Sequence, residues 1–217
     1  MLLEQNNSSV IGIPGAPKKI GLTAGMLGVF VVLTATLAYI PQHPDFSLFT
    51  TFLSTIGDTP GWPQVLFNSG TLLASPLRYL VLVLFALRLF QLGSGRPFMI
   101  AVLVIGFIST LGTVIMTAVP FSLAPAIHKS GIGLYFLGIV ILQSVVFNKQ
   151  WSMKGINRIL PILSLAMVII FIGFFVLLVL YEQGIIGSGG PVFFEWLCFF
   201  SSIAWVFTQS ILLGKTK

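Results

Sequence analysis

Charged residues are scarce in this sequence. They make up 7% of the 217 residues, whereas a typical soluble domain carries about 25%. Hydrophobic residues account for 56% of the chain, and the mean hydropathy is +1.04. One soluble core cannot bury so much apolar surface, so this composition excludes a soluble globular domain and indicates that lipid surrounds most of the chain.

Residues that build metal and redox sites are also few. Cys198 is the sole cysteine and there are two histidines, which excludes an intramolecular disulfide and a cysteine-rich metal site. Helical histidine pairs, a phosphate-binding loop, a dinucleotide fingerprint and a G-x-S-x-G nucleophile elbow are missing. We therefore expect neither a metal site nor a cofactor.

Long apolar runs are what the sequence does contain. About 20 residues cross a hydrocarbon core of about 30 Å. Six runs are of this kind: Leu22–Ile40, Val65–Leu92, Phe98–Val119, Gly131–Phe147, Ile159–Tyr181 and Val192–Leu213. They predict an all-α polytopic membrane protein, a bundle of six transmembrane helices. We expect residues 1–19 to form a mobile cytoplasmic tail, residues 20–214 a single transmembrane domain, and residues 215–217 a short basic tail.

The net charge of +6 agrees with this topology. With six crossings, one side of the membrane receives Lys18, Lys19, Arg96, Lys149, Lys154, Arg158, Lys215 and Lys217. Lys129 stands alone in the connections of the other side. The positive-inside rule then places both termini in the cytoplasm. We expect an integral protein of the plasma membrane that contacts lipids and does not bind nucleic acid, and a membrane-protein partner is left open.

A polar stripe runs along the second predicted span. Its members are spaced by four and three residues and share one helical face: Gln64, Asn68, Thr71, Ser75 and Arg78. Arg78 lies about 21 Å along the helix from Gln64, where an unpaired arginine costs at least about 2.5 kcal/mol. It should face the bundle interior, with Glu195 as the first candidate partner and Asp58 as the second. Hydrogen bonding of the stripe to neighbouring helices is the structural alternative.

Acidic residues and histidines gather toward the predicted outer face, so acid–base chemistry would have to occur there. Asp58 and His128 could form a base–orienter pair, with Ser54 as a nucleophile. Tyr135 lies two turns after His128 and could face the same space. In the third span, Gly106, Ser109, Thr113 and Thr117 predict close helix contacts rather than a ligand site, as does Gly21-x-x-x-Gly25 in the first span.

Several short motifs taken in order resemble a known family. They are LSTIGDTPGW at 53–62, FNSG at 67–70, GxxSTLGTxxxxxxP at 106–120, IH at 127–128 and FFEW at 193–196. The combination resembles a six-helix membrane family known as a domain of unknown function (nine-nine-eight), which is similar in layout to the Frag/DRAM/Sfk-type membrane proteins. The resemblance implies a fold and a membrane location but no activity. Two departures are the missing aspartate after Pro120 and Trp196 in place of an expected arginine.

Together these patterns predict a non-enzymatic membrane protein that binds a lipid or small amphiphile in an outward-facing polar pocket. Its predicted ligand-binding residues are Asn68, Thr71, Ser75, Arg78, Tyr135 and Glu195. The alternative is a small intramembrane hydrolase or transferase at the extracytoplasmic face, which would use Asp58, His128 and Ser54.

Overall fold

The computed structural model describes residues 16–213, and the side chains from residue 17 onward. Within this range the chain is helical and has no strand, as predicted. The helices are α1 (Ala16–Tyr39), α2 (Leu53–Asp58), α3 (Trp62–Gln91), α4 (Arg96–Ala118), α5 (Pro125–Ser152), α6 (Ile159–Glu182) and α7 (Gly189–Leu212), and a 3₁₀ turn (Ile40–Gln42) follows α1.

Six of these described helices, all but α2, are long and apolar enough to cross a membrane. The six-span prediction is therefore confirmed. Their large apolar side chains also remain exposed on the outside of the bundle: Leu73 is 76% exposed, Phe30 64% and Ile169 63%. Such surface is costly in water and favourable in lipid, so the chain is an integral membrane protein.

The helix ends differ from the predicted spans where the chain leaves the apolar region. The fourth predicted span, Gly131–Phe147, is the middle of the longer helix α5, which begins with Pro125 in its first turn, where a proline is well tolerated. Helix α1 begins at Ala16, so residues 16–19 of the predicted N-terminal tail are helical. The rest of that tail, residues 1–15, and the basic tail 215–217 lie outside the described residues.

Consecutive long helices run in opposite directions and form a closed ring. Around the ring the neighbours are α1, α3, α4, α5, α6 and α7, and α7 packs back on α1. The connections 40–61, 119–124 and 183–188 lie together at one end of the ring, which we name the loop end. The connections 92–95 and 153–158 lie at the other end, which we name the basic end because it carries most of the lysines and arginines.

Small residues bring neighbouring helices together. A Cβ atom added to Gly112 of α4 would lie 2.5 Å from the backbone nitrogen of Tyr135 and 2.7 Å from the carbonyl oxygen of Gly131, both in α5. Gly21 and Gly25 of α1 instead make room for side chains of α7, those of Ser210 and Phe207. Small residues of both kinds allow helices to approach closely in a membrane.

Candidate functional site

The carboxylate of Glu195 lies at the loop end and holds the short helix α2. It accepts hydrogen bonds from the backbone N–H groups of Leu53 (2.6 Å) and Ser54 (3.3 Å). These groups begin α2 and have no acceptor within their own helix. A negative charge is also favourable at a helix N-terminus. Glu195 therefore caps α2.

This role differs from the predicted ion pair between Glu195 and Arg78. Across residues 17–213 the structure contains one salt bridge, which joins Lys129 to Glu182 at 3.3 Å on the surface. Arg78 is paired neither with Glu195 nor with Asp58, the second candidate. The physical reason is that the backbone N–H groups at the start of α2 reach the Glu195 carboxylate, whereas Arg78 lies deeper along the bundle.

Two further side chains hold α2 and the residue pair that precedes it. The Asn68 side-chain amide donates to the Gly57 carbonyl oxygen at 2.8 Å, and the Trp196 indole donates to the Thr51 carbonyl oxygen at 2.9 Å. Asn68 belongs to the predicted ligand-binding face, so the upper part of the stripe is engaged in holding α2. α2 lies between the first two predicted spans, where no helix is predicted.

The residues proposed for catalysis are engaged in separate contacts. The Asp58 carboxylate accepts from the Ser122 hydroxyl (2.7 Å) and backbone N–H (3.0 Å). His128 Nδ1 lies 2.8 Å from the Val119 carbonyl oxygen. Among the described residues, no hydrogen bond joins any two of Asp58, His128 and Ser54. The geometry therefore does not favour the hydrolase or transferase alternative.

The described residues do not favour a metal site either. In the part of the chain that the structure describes, no three His, Cys, Asp or Glu side chains lie close enough together to hold a metal ion. His43, the other histidine, stacks on the Tyr39 ring with a centroid separation of 3.8 Å. Its Nδ1 atom lies 3.2 Å from the Tyr39 carbonyl oxygen.

Arg78 occupies the middle of α3, about 24 Å from the loop-end start of that helix. Its guanidinium group donates to the Ser75 hydroxyl at 3.2 Å, and Ser75 in turn donates to the Thr71 carbonyl oxygen at 2.8 Å. Ser75 is buried, whereas Arg78 keeps part of its surface accessible. The predicted stripe therefore ends in a guanidinium whose hydrogen-bond partner is neutral.

Two side chains with hydroxyl groups lie in the bundle interior near Arg78. Tyr135 of α5 is a neighbour of Arg78, and Ser202 of α7 lies beside Tyr135. The Ser202 hydroxyl also bonds the Cys198 carbonyl oxygen at 2.8 Å. Tyr135 and Ser202 are both partly accessible. We name Ser75, Arg78, Tyr135 and Ser202 the central cluster.

Ser202 was not among the predicted site residues, although it lies seven residues after Glu195 on the same face of α7. The seven-residue spacing was the signal in the sequence, and Gln209 lies a further seven residues along the same face. Gln209 forms a pair with Gln150 of α5 in which each amide donates to the other (2.9 and 3.3 Å). Both glutamines are buried, so this pair is a satisfied structural contact between helices.

A narrow cleft lies near the basic end of the bundle. It lies between α1, α3 and α7, and its apolar walls include Val81, Phe85, Trp205 and Leu213. Val81 and Trp205 are one helical turn beyond Arg78 and Ser202 respectively. The cleft is therefore adjacent to the central cluster, in the half of the bundle opposite to the predicted outward-facing pocket.

These features define a polytopic membrane protein with a closed ring of helices and an internal polar centre. The model of the Frag1/DRAM/Sfk1/Cwh43P N-terminal domain family matches residues 20–212, and the chain belongs to that family. The layout similarity seen in the motifs is thereby confirmed, whereas the label of the domain of unknown function is not. No curated protein matches the chain. No solved structure matches it either.

Proposed function

We propose that this protein binds the anionic group of a lipid or small amphiphile at the central cluster. One observation carries the proposal: Arg78 lies in the middle of a membrane-spanning helix, and its hydrogen-bond partner is the neutral hydroxyl of Ser75. An arginine within a membrane is costly unless it is paired or hydrated. An anionic ligand would offset that cost.

The surroundings of Arg78 support an external partner rather than an internal one. Asp58 and Glu195, the acidic residues proposed to reach it, are hydrogen-bonded at the loop end. The guanidinium group has five N–H donors, and the bond to Ser75 uses one of them. Its planar fork fits carboxylate and phosphate groups in a bidentate manner.

We place the apolar part of such a ligand at the cleft between α1, α3 and α7, because most of the cleft wall is apolar. Its walls at Val81, Phe85 and Trp205 begin next to the central cluster and continue toward the basic end. Ligand sites combine apolar walls with a few placed polar groups. We therefore expect the anionic group at Arg78 and the apolar chain along this cleft.

Native mass spectrometry of the full chain, purified with its lipids, tests the proposal. Wild type should retain an amphiphile that the Arg78→Gln variant loses, because glutamine keeps hydrogen-bonding capacity but removes the charge. Arg96→Gln is a matched control, since Arg96 is an exposed arginine at the basic end. Equal retention by wild type and Arg78→Gln would contradict the proposal.

A further inference from the structure

We infer that the group held by the central cluster is an oxyanion with one negative charge, a carboxylate or a phosphodiester; this inference rests on the proposed function. It follows from the number and sign of the charges that the described residues place around Arg78. The two groups that could supply this anion are a fatty-acid carboxylate and the phosphodiester of an anionic phospholipid.

The central cluster contains one cation. Ser75, Tyr135 and Ser202 are neutral polar residues, and Arg88 is ten residues further along α3, about 15 Å away. Lys129 lies at the loop end in its salt bridge with Glu182. One guanidinium neutralises one negative charge, so a monoanion leaves the cluster neutral.

A second negative charge would remain uncompensated. A phosphomonoester carries about −1.5 to −2 at neutral pH, and among the described residues only Arg78 is placed to balance it. Uncompensated charge away from water is strongly unfavourable because the surrounding medium is poorly polarisable. The cluster should therefore discriminate against phosphomonoesters.

A ligand that also carries a cationic amine would bring a positive charge that needs its own countercharge. Its amine would need a carboxylate, and the Glu195 carboxylate is occupied by the N–H groups of Leu53 and Ser54. Asp58 is bonded to Ser122 at the loop end. The zwitterionic headgroup of phosphatidylethanolamine is consequently a poor fit.

Hydroxyl groups complete the match to an oxyanion. Tyr135 lies near Arg78 on another helix of the ring, Ser202 lies beside Tyr135, and hydroxyl hydrogens can rotate toward an acceptor. An oxyanion held by the guanidinium could accept a further hydrogen bond from the Tyr135 hydroxyl. Tyr135→Phe should therefore weaken retention of the anion less than Arg78→Gln does, since it removes a neutral donor and leaves the charge.

The test is native mass spectrometry of the full chain, stripped of lipid and then titrated at about pH 8 with defined probes. The probes are oleate, phosphatidylglycerol, phosphatidate and phosphatidylethanolamine. We expect oleate or phosphatidylglycerol to bind on the order of tenfold better than phosphatidate and phosphatidylethanolamine. This preference should disappear in Arg78→Gln and persist in Arg96→Gln. Whether oleate or phosphatidylglycerol binds better distinguishes a carboxylate from a phosphodiester.

The outcomes separate the two claims. Stronger binding of phosphatidate or phosphatidylethanolamine that depends on Arg78 would overturn the single-charge inference and leave the proposed function intact. If no probe depends on Arg78, the proposed function itself is refuted. Tyr135→Phe with wild-type retention of the monoanion would remove Tyr135 from the site while the charge argument stands.

Discussion

The loop end of the bundle and its centre both place charged side chains among packed helices, but they pair them differently. At the loop end, Glu195 and Asp58 accept hydrogen bonds from groups that would otherwise lack a partner. At the centre, Arg78 donates to a neutral serine. The difference teaches that a buried polar residue with a full set of internal partners serves the architecture, whereas an intramembrane charge without a countercharge is the better candidate for function.

The largest loss of stability is expected for Glu195→Ala, which removes the carboxylate that caps α2 at the loop end. The variant leaves the N–H groups of Leu53 and Ser54 without their acceptor, and hydrogen bonds to a charged group contribute about 3 kcal/mol. Thermal unfolding in detergent measures the loss, and faster proteolysis within 40–61 would locate it. Glu182→Ala is the control, because its salt bridge is exposed. An unchanged unfolding temperature for Glu195→Ala would refute the capping role.

Gly112→Ala tests how far the packing around the central cluster tolerates added volume. The new Cβ atom would meet the α5 backbone at Tyr135 and Gly131, and overpacking of this kind costs about 2 kcal/mol. Because Tyr135 would be displaced, retention of the ligand should fall as well. Gly133→Ala is the matched control, since a Cβ atom there meets no atom within 4 Å. If both variants have the same unfolding temperature, the close approach of α4 and α5 does not limit the size of the side chain at position 112.

Asn68→Ala should have a smaller effect, about 1 kcal/mol, because one neutral hydrogen bond to the Gly57 carbonyl oxygen is lost. The ligand should still be retained, since Asn68 serves the loop end. Unfolding and native mass spectra of Asn68→Ala, compared with Ser69→Ala on the exposed side of the same helix, measure both quantities. Loss of the ligand without loss of stability would assign Asn68 to the binding site and contradict the contrast between the loop end and the centre.

The smallest effect on stability is expected for Arg78→Gln in lipid-free protein. Removing a charge that has no countercharge in the described part of the chain should leave the unfolding temperature unchanged or raise it. In lipid-bound protein the same substitution should lower the unfolding temperature, because the stabilisation by the bound ligand is lost. A large destabilisation of the lipid-free variant would instead assign Arg78 to the architecture.

Much of the fold could be predicted from the sequence because hydrocarbon imposes a simple requirement. Each span must satisfy its backbone hydrogen bonds internally and present apolar side chains to lipid. The run Ile159–Tyr181, for example, matches α6 to within one residue at its end. Helix α5 was predicted too short because its polar ends, from Pro125 to His128 and after Phe147, remain helical beyond the apolar run.

The sequence by itself determined the membrane location, the number of spans and the mid-helix position of Arg78, since these depend on local composition and helical periodicity. Only the tertiary structure decided which charges meet. Glu195 and Asp58 are each more than 60 residues from their partners Leu53 and Ser122, and no local pattern specifies such contacts. The capping of α2 by Glu195 depends on how the ring of helices closes. So does the absence, among residues 17–213, of a carboxylate partner for Arg78.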